Sequence, residues 1–381
     1  MWIRHRAGTL GLLVLGLSLL ACVLPIPLGV STPTSGTVSG TPEARTTPPD
    51  ATRQPSPART ARPSLTATSR PTYTATVPVL PTVIPSPSIV APDILSEVDH
   101  EVVESIVLTN AGPEEVKRLS LWVAVIRSVE PYQVLLHEDV EPAPAARIED
   151  EYGNQYAHIQ FADVAAGESV QAVVTSTVRV TEVAHDLSLC VGEVPSTALD
   201  PEVHVESDDP NIQELARQLS AGSADLCQAL RALYDYVGDH ITYTSYEAGD
   251  RGAAWALEQL SGDCTEFADA LLALSRAAGI PARFLEGVTY REGAGSQLGE
   301  TKHDWLEAYL PGHGWVPLDP TWGRFAHKRG AYFARMSPDH IIVTTGRNLS
   351  TLGGYHYFYY TWPSGDVNRS HQESWELSLA G

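Results

Sequence analysis

Four patterns of apolar and polar positions follow one another along the chain. Leu10 to Leu20 is an almost wholly apolar run, shorter than the roughly 20 residues a membrane-spanning helix needs. Residues 31–92 lose all periodicity. From Asp93 the pattern has period two: Glu101 to Leu108, Leu119 to Ile126, Tyr132 to Leu136, Tyr156 to Phe161 and Val170 to Val180 alternate, rich in β-branched and aromatic residues, with breaks such as Asn110-Ala111-Gly112-Pro113 between them. Short strands without helical period predict a β-sandwich over 93–206. Near Ser207 the period becomes helical. Asp209-Pro210 is an N-cap followed by proline at the first helical position, ahead of Ile212 to Leu219. Leu226, Leu230, Leu233 and Val237 recur as one packed face, Ile241 to Tyr243 predicts a short strand, and Phe267, Leu271, Leu274 and Ala278 predict a helix stopped by Gly279 and Pro281. The expected fold class is α+β: the sandwich, then a mixed α/β segment at 207–365, then a C-terminal tail at 366–381.

Charge sharpens the division. The chain has 46 acidic against 25 basic residues, a net charge of −21. The first 92 residues carry seven arginines and only Glu43 and Asp50 as acids, so the excess negative charge lies beyond them. A folded part this acidic repels phosphate backbones, and no nucleic acid partner is expected. More than half of residues 31–92 are Ser, Thr or Pro, a composition that cannot bury a core and predicts a disordered linker over 23–92. Extended at about 3.1 Å per residue in its proline-rich parts, it could hold a domain well clear of a surface. Arg4, His5 and Arg6 before the apolar run complete a secretory signal peptide at 1–22. Leu19-Leu20-Ala21-Cys22 resembles a bacterial lipobox, which implies lipidation of Cys22 and anchoring on the extracytoplasmic side of a membrane. An ordinary signal peptide or an uncleaved anchor are the alternatives.

Candidate chemistry gathers in the last third. Asp263 and Glu266 have capping-box spacing, which puts Cys264 in the first turn of the helix. There the free N–H groups and the helix dipole favour an anion, and a lowered thiol pKa is expected; a buried, inert cysteine is the alternative. His303 opens the strand His303-Asp304-Trp305-Leu306-Glu307-Ala308-Tyr309. The turn Pro311-Gly312-His313-Gly314 reverses the chain, and Trp315-Val316-Pro317-Leu318-Asp319 returns. A three-residue loop sets Asp319 opposite Trp305 and diagonal to His303. Cysteine, histidine and carboxylate so placed are the parts of a nucleophile, a base and an orienting group.

These motifs, with Ala277-Ala278-Gly279-Ile280-Pro281-Ala282-Arg283 and Gly314-Trp315-Val316-Pro317-Leu318-Asp319-Pro320-Thr321-Trp322, resemble the core of the transglutaminase-like superfamily, a branch of the papain-like thiol enzymes, over roughly Pro210 to Trp362. The resemblance implies Cys264 as nucleophile, His303 as base and Asp319 as orienting carboxylate, acting on amide or peptide bonds through a thioester. It does not fix the outcome: hydrolysis is favoured, a crosslinking acyltransferase is the alternative, and a silent surface binding module is a third. No cofactor and no metal are expected, since no DxDxDG loop and no metal-ligand histidine spacing occur. The expected partners are a protein or peptide substrate of the cell envelope and the membrane through its anchor, with the chain acting as a monomer.

The remaining residues have quieter expectations. Trp255, Trp305, Trp315 and Trp322 are expected to pack rather than line a cleft, Arg283 to form a structural ion pair, and His313 to be solvated in its turn. The backbone N–H of Cys264 is expected as one oxyanion donor, with a side chain from 241–246 as the second. Cys190 and Cys227 could form a disulfide outside the cytoplasm or remain two thiols.

Overall fold

The computed structural model describes residues 89–246, 249–292, 301–362 and 369–381. The expectations for the signal peptide, Cys22 and the linker to residue 88 lie outside the described residues. The described residues fall within one contact unit, Leu80–Gly381.

The strand-rich half begins with β1 (Asp93–Asn110), whose alternate residues His100, Val102, Glu104, Ile106, Leu108 and Asn110 are buried, as a strand with one face on a core requires. It continues with β2 (Ser120–Val125), β3 (Gln133–Glu141), β4 (Ala146–Glu149), β5 (Gln155–Gln160) and β6 (Ser169–Ala184). The helical part follows as α1 (Pro210–Ser220), α2 (Leu226–His240), β7 (Thr242–Tyr243), α3 (Gly252–Gln259), β8 (Ser261–Gly262) and α4 (Cys264–Ala277). Next come β9 (Ala282–Thr289), β10 (Lys302–Leu310) and β11 (Gly314–Leu318), a single helical turn at Pro320–Gly323, and then β12 (Arg335–Met336), β13 (His340–Thr345), β14 (Phe358–Thr361) and β15 (Arg369–Leu379).

Two antiparallel sheets make the sandwich. One has the order β12-β6-β1-β15 with β3 also on β6, and the other is β14-β2-β5-β4. The tail expected at 366–381 is therefore corrected over its described residues: β15 pairs with β1 from His100↔Leu379 to Asn110↔Arg369. Its sequence hides this, because Trp375 is its one buried side chain, the profile of a polar edge strand. Likewise Phe358–Thr361, placed by sequence in the helical half, pairs with β2.

The third sheet, β11-β10-β9-β13, is the seam. Phe284, Leu306, Ala308 and Val316 pack with the helices, whereas Leu285, Trp305, Ile341 and Val343 join the sandwich core. The β10–β11 register runs from Leu306↔Leu318 to Leu310↔Gly314, the register a three-residue loop sets. His313 in that loop is corrected from solvated to buried, at 3 % exposure. The segment after β6 packs over the turn, and His313 Nε2 lies 2.6 Å from the Leu189 carbonyl oxygen.

Candidate active site

Cys264 is the first residue of α4, and the capping box is formed: the Asp263 carboxylate accepts from the Thr265 N–H at 3.0 Å while Glu266 accepts from the Asp263 N–H at 3.0 Å. Glycine is required at 262, since a Cβ there would collide with the Glu266 side chain that closes the box. The parallel pair β7–β8 and the bond from the Thr244 N–H to the Gly262 carbonyl at 2.8 Å hold residues 242–244 beside this turn. From that segment Tyr246 reaches a small cavity of about 30 Å³ that Cys264 also lines. On the other side Thr265 Oγ1 donates to Asp304 Oδ2 at 2.6 Å. This staples the first turn of α4 to the start of β10, next to His303.

His303 and Asp319 meet as the hairpin register requires: His303 Nε2 is 2.8 Å from Asp319 Oδ2, with the two side chains 5 % and 3 % exposed. That leaves Nδ1 as the imidazole nitrogen available to a thiol. Asp319 also caps the turn at Pro320–Gly323, Oδ1 accepting from the Trp322 N–H at 2.9 Å, which fixes the carboxylate plane. Sequence reasoning missed a second imidazole. His340, at the start of β13, places Nε2 3.1 Å from the same Asp319 Oδ2 and Nδ1 2.7 Å from Asp339 Oδ1. No spacing near His303 or Asp319 signals it. Strand β13 reaches the site by pairing with β9, a contact made only in three dimensions.

Electrostatics sort these groups. Burial pushes the Asp319 carboxyl up, but the His303 and His340 imidazoles together hold it well below the usual carboxylate range. Burial disfavours the His340 cation, yet hydrogen bonds to Asp319 and Asp339 outweigh it and raise its pKa to about 9. Burial lowers the pKa of His303, Asp319 pulls it back, and the charges of His340 and Arg291 lower it further. At neutral pH Asp319 is thus ionised, His340 carries the proton, and the His303 imidazole is neutral. Cys264 departs from expectation. Burial, then the charges of Asp304 and Asp263, push the thiol pKa well above normal, against a hydrogen bond from the Asp304 backbone. The helix terminus does not win because the sulfur is desolvated among carboxylates. The resting thiol is neutral.

A second polar cluster lies beyond Asp304. His356 bonds Glu286 through Nδ1 and Asp250 through Nε2, the latter at 3.0 Å. Arg347, 2 % exposed, grips Asp269 at 3.0 Å and Asp250 at 2.8 Å. Ligand atoms of His303, Asp319 and His340, and of Glu286, Asp304 and His356, lie within 4.8 Å of one another. In both groups the imidazole nitrogens that face carboxylates already form hydrogen bonds with them, so the donors read as proton-holding networks. Elsewhere Cys190 and Cys227 form a disulfide with a Cα–Cα distance of 6.1 Å, and Arg283 pairs with Glu307 beneath its stack on Trp315 at 4.1 Å. Trp305 is fully buried against the His303 and His340 rings, whereas Trp322 lines a cavity.

A thiol at a helix start, with a buried imidazole–carboxylate pair on the adjoining hairpin, defines a thiol-enzyme core. The family model of the Transglutaminase-like superfamily core matches residues 213–320, and this segment is a transglutaminase-like domain. The uncharacterised protein YebA of Bacillus subtilis is 32 % identical over 129 residues, 29 % of this chain and 17 % of that one. The chain thus spans a minor part of that relative's length. Among solved structures, a candidate cysteine protease from Cytophaga hutchinsonii aligns with TM-score 0.58 at 17 % identity, covering 76 % of this chain and 93 % of that one. It shares the fold. The periplasmic domain of TgpA from Pseudomonas aeruginosa aligns with TM-score 0.32 at 20 % identity, over 62 % of this chain and 93 % of that one.

Proposed function

We propose that the protein is an extracytoplasmic cysteine hydrolase of amide or peptide bonds, tethered to a membrane through a lipid on Cys22. One observation carries the chemistry: the buried His303–Asp319 pair at 2.8 Å stands on the strand whose neighbouring residue, Asp304, is bonded to Thr265 beside Cys264. A substrate carbonyl reaching Cys264 draws the thiol proton to His303 as the C–S bond forms. The charge developing on the carbonyl oxygen is met by the Cys264 N–H at the helix terminus, with Tyr246 the candidate second donor. His303 then gives its proton to the leaving amine, and water, activated by the same imidazole, hydrolyses the thioester. Asp319 holds the tautomer and steadies the imidazolium formed during the transfer.

The disulfide Cys190–Cys227 supports an oxidising compartment. Among the described residues no helix is long and apolar enough to cross a membrane. Labelling cells with a palmitate analogue tests the anchor, with an unlabelled chain, or a mature chain starting well past Cys22, overturning it. For the chemistry, the full chain is incubated with a peptide library and Cys264 is analysed by mass spectrometry, with and without an added primary amine. Hydrolysis predicts an acyl adduct that decays to free acid at a rate amine does not change. Products that carry the amine identify a transferase, and no adduct at all indicates a binding module.

A further inference from the structure

Beside the His303–Asp319–His340 network opens a cavity of about 370 Å³. Two cations border it, and both lie over the same ring: the Arg291 guanidinium is 4.4 Å, and the Lys328 ammonium 5.3 Å, from the Trp322 centroid. Neither has a carboxylate within ion-pair distance among the described residues. Elsewhere in this acidic chain Arg179, Arg217, Arg231, Arg276, Arg283 and Arg347 are all met by carboxylates. The same cavity is lined by the aromatic side chains Tyr290, Trp322 and Tyr332. Of the acids at the rim, Asp339 is engaged by His340 at 2.7 Å and Glu292 is exposed. The Trp322 ring stands edge-on to His303 at 6.2 Å, so whatever rests on it sits one ring from the base.

We propose that this cavity is a subsite for an anionic group of the substrate, a carboxylate carried close to the bond that Cys264 attacks. The carboxylate accepts from the Arg291 guanidinium and the Lys328 ammonium, which stand over the Trp322 ring at the cavity edge and neutralise it. It could be an acidic side chain or the terminal carboxylate of a peptide, and the two sources share this chemistry. The inference rests on Cys264 being the nucleophile, and the test separates the two claims.

Bromoacetyl dipeptides of equal length, which alkylate a thiol they bind beside, serve as probes. One ends in a neutral amide, one in a free carboxylate, and one carries a glutamate side chain with an amidated end. Saturable labelling of Cys264 in the full chain is followed by mass spectrometry. At least one anionic probe is expected to saturate at roughly tenfold lower concentration than the neutral one, the size two exposed charges acting together supply. Whichever anionic probe wins identifies the source. The double variant Arg291→Gln with Lys328→Gln, both exposed positions, should bring the anionic-to-neutral ratio to about one, while Arg291→Lys should retain the preference. Equal saturation by all three probes in the wild type, or a preference that survives the double variant, overturns the subsite alone. Failure of every probe to label Cys264 overturns the nucleophile and the subsite with it.

Discussion

His340 and His356 are chemically alike: each imidazole bridges two carboxylates, Asp319 with Asp339 in one case and Glu286 with Asp250 in the other. Both are held protonated against the opposing effect of burial. What differs is who shares the carboxylate. Asp319 also serves His303, so the His340 cation sets the charge the His303 imidazole feels, and Asp319 and His340 are each sealed at 3 % exposure. Asp250 instead shares itself with Arg347, which grips Asp269 on α4, and His356 stays 30 % exposed. One cluster tunes a proton. The other fastens α4 to the segments after β13 and before α3.

The comparison can be broken in several ways, beginning with the largest effect. Cys264→Ala and His303→Ala should each remove at least about a thousandfold of turnover, and Asp319→Asn somewhat less, with thermal midpoints of the Cys264 variant near wild type. Steady-state rates against any library peptide that acylates the wild type check this, and a Cys264→Ala enzyme that still turns over ends the catalytic assignment. Arg347→Met leaves Asp269 buried and unpaired in the fastening cluster. It should destabilise the fold by about 3–5 kcal/mol, read as a drop of order 10 °C in melting temperature; a drop of a degree or two would mean the cluster fastens nothing.

His340→Gln should lower turnover about tenfold and move the pH–rate profile, because Asp319 loses the cation that balances it. His356→Gln should lower the melting temperature and leave the profile in place. If the two variants move the profile equally, the distinction between the clusters is wrong. A smaller effect concerns stability and pH. The folded-state pKa of His340, about 9, lies above its unfolded value of about 6.5. Its contribution is therefore complete below about pH 6.5 and is lost as pH rises through 9. Melts between pH 6 and 10 should fall more steeply for the wild type than for His340→Gln. Finally, iodoacetamide labelling of Cys264 in the resting protein should have its midpoint above the free-thiol value of about 8.5, since desolvation and carboxylates raise this thiol. A midpoint well below it would restore the helix terminus as the dominant influence.

Much of the fold was legible because its signals are local. Asp263 and Glu266 announce the start of α4 from three residues' spacing, and period two in residues 101–108 marks β1. The turn length at 311–313 set the register that brings Asp319 toward His303. Strand β15 was not legible, because an edge strand with one buried residue looks like a solvated tail until its partner is known. Nor was the buried state of His313, which depends on a segment more than a hundred residues earlier folding over it.

By itself, then, the sequence determined which residues could do chemistry, Cys264, His303 and Asp319, and the local elements that carry them, because capping, periodicity and turn length act over a few residues. Only the tertiary structure decided their protonation. It placed His340 and Asp339 behind Asp319, packed Asp304 against the sulfur, and withdrew the thiol from water, and a pKa is set by burial and by charges arriving from distant segments rather than by neighbours in the chain.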